Sequence, residues 1–134
     1  MTRKTFPEEK IRQSLLMFMQ EELLYPKEVI AVEKSLSAFP HLKGKKVPQR
    51  RCDIAVFGTK DLLPLLIIEC KAVELNQKAF DQVIGYNHLI NAPFLALANG
   101  KEVITLIKGQ HGYQKVCGLP EYKVLLEGCH GTYR

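Results

Sequence analysis

Asp53, Glu69 and Lys71 are the residues of this chain whose types and spacing carry the clearest chemistry. Each borders a short apolar run: residues 54–57 follow Asp53, and residues 65–68 precede Glu69. Read as an antiparallel hairpin centred on Asp61, the two runs set Asp53 and Glu69 eight residues from the centre on either side, as cross-strand neighbours. Such partners have Cβ atoms about 4.5 to 5.5 Å apart, so two ionised carboxylates there repel unless a proton or a cation lies between them. A divalent cation resolves the conflict. Lys71, two residues past Glu69, falls on the same face by the two-residue period of a strand, and Cys70 points to the other. Carboxylate oxygens, with positions left over for water and phosphate, suit magnesium at ligand distances of about 2.0 to 2.1 Å, or manganese. An ammonium beside such an ion orients or helps deprotonate an attacking water and offsets charge in the transition state of phosphodiester hydrolysis. The same register sets Arg51 opposite Lys71, two like charges, so pairing either frays there or shifts by a residue or two.

Several elements must position these groups. From residue 7 to 24, Ile11, Leu15, Leu16, Phe18, Met19 and Leu23 recur at three- and four-residue intervals, which predicts a helix with one buried face. Thr5 suits its cap, Pro7 its first turn, and Glu8 and Glu9 its positive dipole end; Tyr25 and Pro26 stop it. Residues 29–36 read as a strand and 37–51 as a basic loop with two prolines and a glycine. The unbroken apolar run at 65–68 predicts a central strand buried on both faces. Helical periodicity returns over 76–90 through Ala79, Phe80, Val83, Ile84 and Leu89. Residues 94–98 and 103–107, joined through Asn99-Gly100, predict a hairpin with a tight primed turn. After Lys108 the glycines and the single short apolar piece at 124–126 predict an irregular segment. The expectation is a mixed α/β domain, with a core over 5–108 and an irregular extension over 109–134. Its sheet would have four or five strands with a helix on either side, and the site would lie at one sheet edge.

A chain of 134 residues, 46% of them hydrophobic, is enough for one core without disulfides or structural metals. With 25% charged residues, it has no apolar stretch near the roughly 18 to 20 that a membrane span needs. The first ten residues carry charge of both signs, unlike a signal or transit peptide, so a cytoplasmic location is expected. Cys52, Cys70, Cys117 and Cys129 lack the short paired spacing of a zinc site, and His41, His88, His111 and His130 lack ligand spacing as well. Two of the four cysteines fall inside predicted strands, where a thiol behaves as a small apolar side chain, so reduced thiols are expected. The formal net charge of +5 favours anionic partners without identifying one.

Three segments resemble the PD-(D/E)XK nuclease superfamily, in particular the N-terminal nuclease domain of type I restriction enzyme R subunits. They are Arg51-Cys52-Asp53-Ile54, Ile67-Ile68-Glu69-Cys70-Lys71-Ala72 and Gln82-Val83-Ile84-Gly85-Tyr86. The Pro-Glu-Glu-Lys-Ile-Arg-Gln run at 7–13, Val-Glu-Lys at 32–34 and Ala-Pro-Phe-Leu-Ala-Leu-Ala-Asn-Gly at 92–100 are similar too, so the likeness spans nearly everything up to Lys108. It implies a restriction-endonuclease-like core in the order α-β-β-β-α-β. It also implies metal-dependent cleavage of DNA, with Asp53 and Glu69 as metal carboxylates, the main-chain carbonyl of Cys70 as a third ligand and Lys71 as the catalytic lysine. A first-helix glutamate often completes the acidic set; the spacing to Arg12 selects Glu8 over Glu9. Gln82 and Tyr86 match the glutamine-x-x-x-tyrosine motif of the branch related to the RecB nuclease, where they would orient the lysine or the scissile phosphate; their four-residue spacing puts both on one helical face. Cys52 stands where the superfamily has its proline, a change harmless to chemistry because only the following aspartate binds metal. No glycine-rich loop ending in Gly-Lys-Ser/Thr is present, so the chain is not expected to be the ATP-driven motor of such a subunit. A helicase, translocase or methyltransferase partner would come from another subunit, and a homodimer is open.

Plainer readings stand beside these. Any one of Asp53, Glu69 and Lys71 alone is better read as part of a structural ion pair, and only the three together favour a site. Gln82 and Tyr86 also fit a polar helix face on which tyrosine covers core. Lys43, Lys45, Lys46, Arg50 and Arg51 are either a solvated basic loop or, since they directly precede Asp53, phosphate-holding groups for DNA. A second function class is a nucleic-acid-binding or scaffold module that keeps the fold without the activity.

Overall fold

The computed structural model describes residues 6–59 and 63–128. Its first element is helix α1 (Phe6–Glu21), whose Ile11, Leu15 and Met19 face the core. The buried stripe is narrower than the periodicity suggested: Phe18 is 47% exposed on the outer side, next to exposed Met17. The helix ends before Tyr25-Pro26, because Leu24 turns into the left-handed region (φ 59°) and the Tyr25 N–H donates back to the Met19 carbonyl at 3.0 Å. The expected cap Thr5 lies outside the described residues.

Strand β1 (Ile30–Ser35) leads through two 3₁₀ turns, Leu36–Ala38 and Pro40–Leu42, into an exposed loop. Strands β2 (Arg51–Phe57) and β3 (Pro64–Cys70) follow, both running further than their apolar runs alone predicted, and every residue of β3 is buried. Helix α2 (Gln77–Ile90) starts at Asn76, a cap rather than a helical residue, whose Oδ1 accepts from the Ala79 N–H at 3.0 Å. Asn91 closes it in the left-handed region (φ 63°). The Asn87 side chain then holds both the N–H (2.7 Å) and the carbonyl (2.8 Å) of Ala92, which aims the chain into strand β4 (Phe94–Ala98).

Strand β5 (Val103–Gly109) forms the expected hairpin with β4, but not through a primed turn. The loop is four residues long, neither Asn99 nor Gly100 has a positive φ, and Asn99 Oδ1 instead accepts from the N–H groups of Lys101 and Glu102, each at 2.9 Å. The segment expected to be irregular carries strand β6 (Gly112–Cys117) and helix α3 (Tyr122–Gly128); residues 129–134 lie outside the described ones.

Among the described residues the sheet therefore has six strands, in the order β1-β2-β3-β4-β5-β6, not four or five. Only β3 and β4 are parallel, with α2 as the crossover between them. On one face α1 and α3 pack over Ile54, Ile68, Phe94 and Ala96; on the other α2 and the 3₁₀ turns pack over Ala55, Ile67, Leu95 and Leu97. This is a mixed α/β architecture of the restriction-endonuclease-like kind. Among the described residues, no helix is long and apolar enough to cross a membrane.

Candidate active site

The β2–β3 register runs Ile54↔Ile68, Ala55↔Ile67 and Val56↔Leu66 before a bulge at Val56/Phe57. One step beyond the first of these pairs, Asp53 faces Glu69, as the hairpin reading required; its centre at Asp61 lies outside the described residues. Arg51 and Cys52 pair with Ser35 and Lys34 of β1 instead, so pairing with β3 stops short of the clash between Arg51 and Lys71. Asp53 and Glu69 lie near the start of β2 and the end of β3, two interior strands, so the candidate site is not on an edge strand as expected.

Both acids are buried, Asp53 at 2% and Glu69 at 4% exposure. Burying carboxylates is costly unless their oxygens are satisfied, and the backbone does part of this. Asp53 Oδ2 accepts from the Cys70 N–H at 2.7 Å, and Glu69 Oε2 accepts from the Asp53 N–H at 3.4 Å. The two strands thus lock each acid to the other's neighbourhood. Their charge reaches further: burial first, then Glu69 and Asp53, push the Cys52 thiol well above the usual range, against a smaller opposite pull from Arg50. Cys52 stays protonated.

Lys71 is half-buried just beyond β3, where its N–H donates to the Ala98 carbonyl at 2.8 Å. Glu8 reaches this rim from the first turn of α1, its Oε2 at 3.4 Å from the Ala72 N–H, whereas Glu9 turns to Arg12. On α2, Gln82 is exposed, and Tyr86 is half-buried with its hydroxyl oxygen buried and without a hydrogen-bond partner among the described residues. The Arg50 guanidinium lies 3.9 Å from the centroid of the Tyr86 ring, a cation–π contact that spacing alone could not show. Lys43, Lys45 and Lys46 are exposed in the loop and Arg51 is exposed at the start of β2, while Arg50 stacks on Tyr86.

Among the described residues, no group of three or more His, Cys, Asp and Glu side chains is arranged to hold a metal ion. The two buried carboxylates are hard oxygen donors, the type that magnesium-class ions take, and two of them do not make a closed structural site.

Two further groups show their contacts or conformation only in the structure. Arg12, whose side chain is only 11% exposed, pairs with Glu9 and stands 3.2 Å from Glu33 Oε1. Glu33 itself is left-handed (φ 49°) in the middle of β1. The four-residue step from Glu8 to Arg12 was the available signal for the first; nothing in the sequence announces the second.

Residues 7–120 match the protein family described as type I restriction enzyme R protein N terminus. No curated protein and no solved structure matches the chain significantly.

Proposed function

The chain belongs to the type I restriction enzyme R protein N-terminus family, and from that premise we propose that it is a metal-dependent nuclease domain that hydrolyses phosphodiester bonds of DNA. The observation that carries this reading is the buried face-to-face pair Asp53 and Glu69 with Lys71 two residues on. A fold needs no such pair for stability, since like charges at cross-strand positions oppose it.

Asp53, Glu69 and the Cys70 carbonyl would hold Mg²⁺ or Mn²⁺, with Glu8 at the rim. When bound, the ion supplies a Lewis acid for the phosphate and a more acidic water at neutral pH. The protein's own part is orientation. The Cys70 N–H fixes the Asp53 carboxylate, and Glu69 is fixed against the Asp53 backbone. Lys71 presents an ammonium that orients the attacking water and balances negative charge on the phosphoryl oxygens. Tyr86, braced by Arg50 and with no hydrogen-bond partner for its hydroxyl among the described residues, would orient the lysine or the phosphate, with Gln82 one turn away. Lys43, Lys45, Lys46, Arg50 and Arg51 supply cations for the DNA backbone. A helicase or translocase subunit would deliver the DNA, with a methyltransferase in the same assembly.

The test is cleavage of plasmid and single-stranded DNA by the purified chain with Mg²⁺ or Mn²⁺, with and without chelator, alongside Asp53→Asn and Lys71→Met. Chelator-sensitive cleavage lost in both variants is expected. Calorimetric binding of the ion with no cleavage of either DNA would overturn the enzymatic reading in favour of a binding or scaffold module.

A further inference from the structure

We propose that Arg12, together with Glu33, is a positioning residue: an ionic strap that ties the first turn of α1 to β1 and so holds Glu8 at the rim of the site. The inference rests on the nuclease reading for its catalytic consequence, but its structural half stands separately. Glu8 and Arg12 are four residues apart, so they share one helical face. That face spans the site: Glu8 meets the Ala72 N–H just past β3, while Arg12 meets Glu33 on β1. Between those anchors lies β2. The β1–β2 register, Val32↔Ile54 and Lys34↔Cys52, brackets Glu33 against Asp53. The helix therefore crosses β2 at the level of Asp53, anchored on either side.

Two features mark the strap as more than chance surface pairing. A non-glycine residue at φ 49° inside a strand is strained, and such strain persists only where the surroundings fix it. Here the fixing partner is an arginine nearly removed from water. Arg12 also divides its guanidinium between two acids, Glu9 on its own helix and Glu33 on the strand, a planar fork that lysine cannot reproduce. Its Nη1 stands within ion-pair distance of Glu33 but off the line of a hydrogen bond, and Nε has no partner among the described residues. The guanidinium is held by charge on either side, so removing either acid frees it to turn. Both glutamates keep substantial solvent contact, so loss of Arg12 leaves them hydrated and the fold intact.

The experiment follows the Ala72 amide by ¹⁵N-resolved NMR and the steady-state rate of DNA cleavage in the same proteins. Glu8→Ala sets the size of the Ala72 shift when the glutamate is gone. Arg12→Met and Glu33→Asn should move the amide in the same direction. Both should lower kcat about ten- to a hundredfold, the scale of a small misplacement at a catalytic centre, with KM little changed. Arg12→Lys should restore only part. Asparagine tolerates the left-handed region, so Glu33→Asn should keep or raise the thermal midpoint while activity falls, and it carries the test if Arg12→Met does not fold. An unmoved Ala72 amide in both variants overturns the strap, and a moved amide with unchanged kcat overturns its positioning role. If the wild-type chain cleaves nothing, the nuclease reading falls alone, and the amide shift still decides whether the strap exists.

Discussion

Where β2 begins and β3 ends, polar groups go into the interior: Asp53 and Glu69 are buried, satisfied in part by backbone N–H groups, with an arginine ion pair close by. Where α3 closes over the sheet, burial is of the ordinary kind. Leu125 is fully buried among Tyr25, Tyr122 and the residues of β2 and β3, and the two tyrosines spend their hydroxyls on carbonyls, Tyr25 on Pro120 (2.7 Å) and Tyr122 on Phe57 (2.9 Å). Both regions are interior, but only the second is what stability alone would select. Apolar burial gains free energy in proportion to area, whereas a buried acid pair at best breaks even. On the proposed function the contrast separates a region kept for chemistry from one kept for cohesion, and substitutions in each should fail in different assays.

The largest effect belongs to the acid pair and its lysine. Asp53→Asn and Lys71→Met should each reduce cleavage by about two to four orders of magnitude, the usual range for losing a catalytic acid–base or electrostatic group. Their thermal midpoints should stay near wild type. The asparagine still accepts from the Cys70 N–H and relieves repulsion with Glu69, so Asp53→Asn has no reason to unfold the chain. A midpoint that falls steeply with activity per folded molecule preserved would reassign the pair to cohesion and erase the contrast.

Leu125→Ala is the reciprocal test. Removing a fully buried leucine should cost about 2 to 5 kcal/mol and lower the midpoint by about 10 °C or more, while cleavage per folded molecule is retained at low temperature. This substitution also probes what the sequence concealed. The elements around the site were legible because they advertise themselves: β3 as an unbroken apolar run, α2 by its period and its flanking asparagines, and the acid pair by its symmetric spacing about the turn. The end of the chain does not. β6 opens on Gly112 (φ 124°) and alternates weakly along a sheet edge, and α3 is only seven residues long, with Tyr122 and Leu125 as its buried side chains. Helices that short depend on tertiary packing, which sequence periodicity does not report. The left-handed Glu33 and the Arg50–Tyr86 stack were hidden for a related reason: each depends on where another element passes.

A smaller effect should appear as pH dependence at the cohesive end. Burial, then the neighbouring Tyr122, raises the Tyr25 hydroxyl far above its usual range. In the unfolded chain a tyrosine ionises near about 10, so there the unfolded state sheds its proton first. Stability from this group is therefore complete below about pH 10 and is lost as pH rises beyond it. Tyr25→Phe should cost about 0.5 to 1.5 kcal/mol at pH 7, through the lost bond to Pro120, and flatten the alkaline decline of the midpoint. Cys52, also raised, adds to the same decline in both proteins. An unchanged alkaline slope in Tyr25→Phe would mean that the ring, not the hydroxyl, is what this region holds.

The smallest effect distinguishes the two regions by their thiols. Cys52 and Cys70 are buried at the site end of β2 and β3, and Cys117 is exposed at the end of β6. Only the thiolate is nucleophilic, so a buried thiol held protonated beside two carboxylates should resist alkylation while an exposed one reacts. Iodoacetamide at pH 8, with modified peptides mapped by mass, should label Cys117 first and leave Cys52 and Cys70 until the protein unfolds. Cleavage should be unaffected by the Cys117 adduct, which sits on an edge strand away from Asp53 and Lys71. Mild denaturant sharpens the comparison: if Cys52 becomes reactive before the global transition, the polar end opens first, as a region held by charges and a strained strand would. Simultaneous labelling of Cys52 and loss of the whole fold would instead mean that the buried acids are embedded in the same cooperative unit as Leu125, and that the chemistry is carried by the most stable part of the sheet.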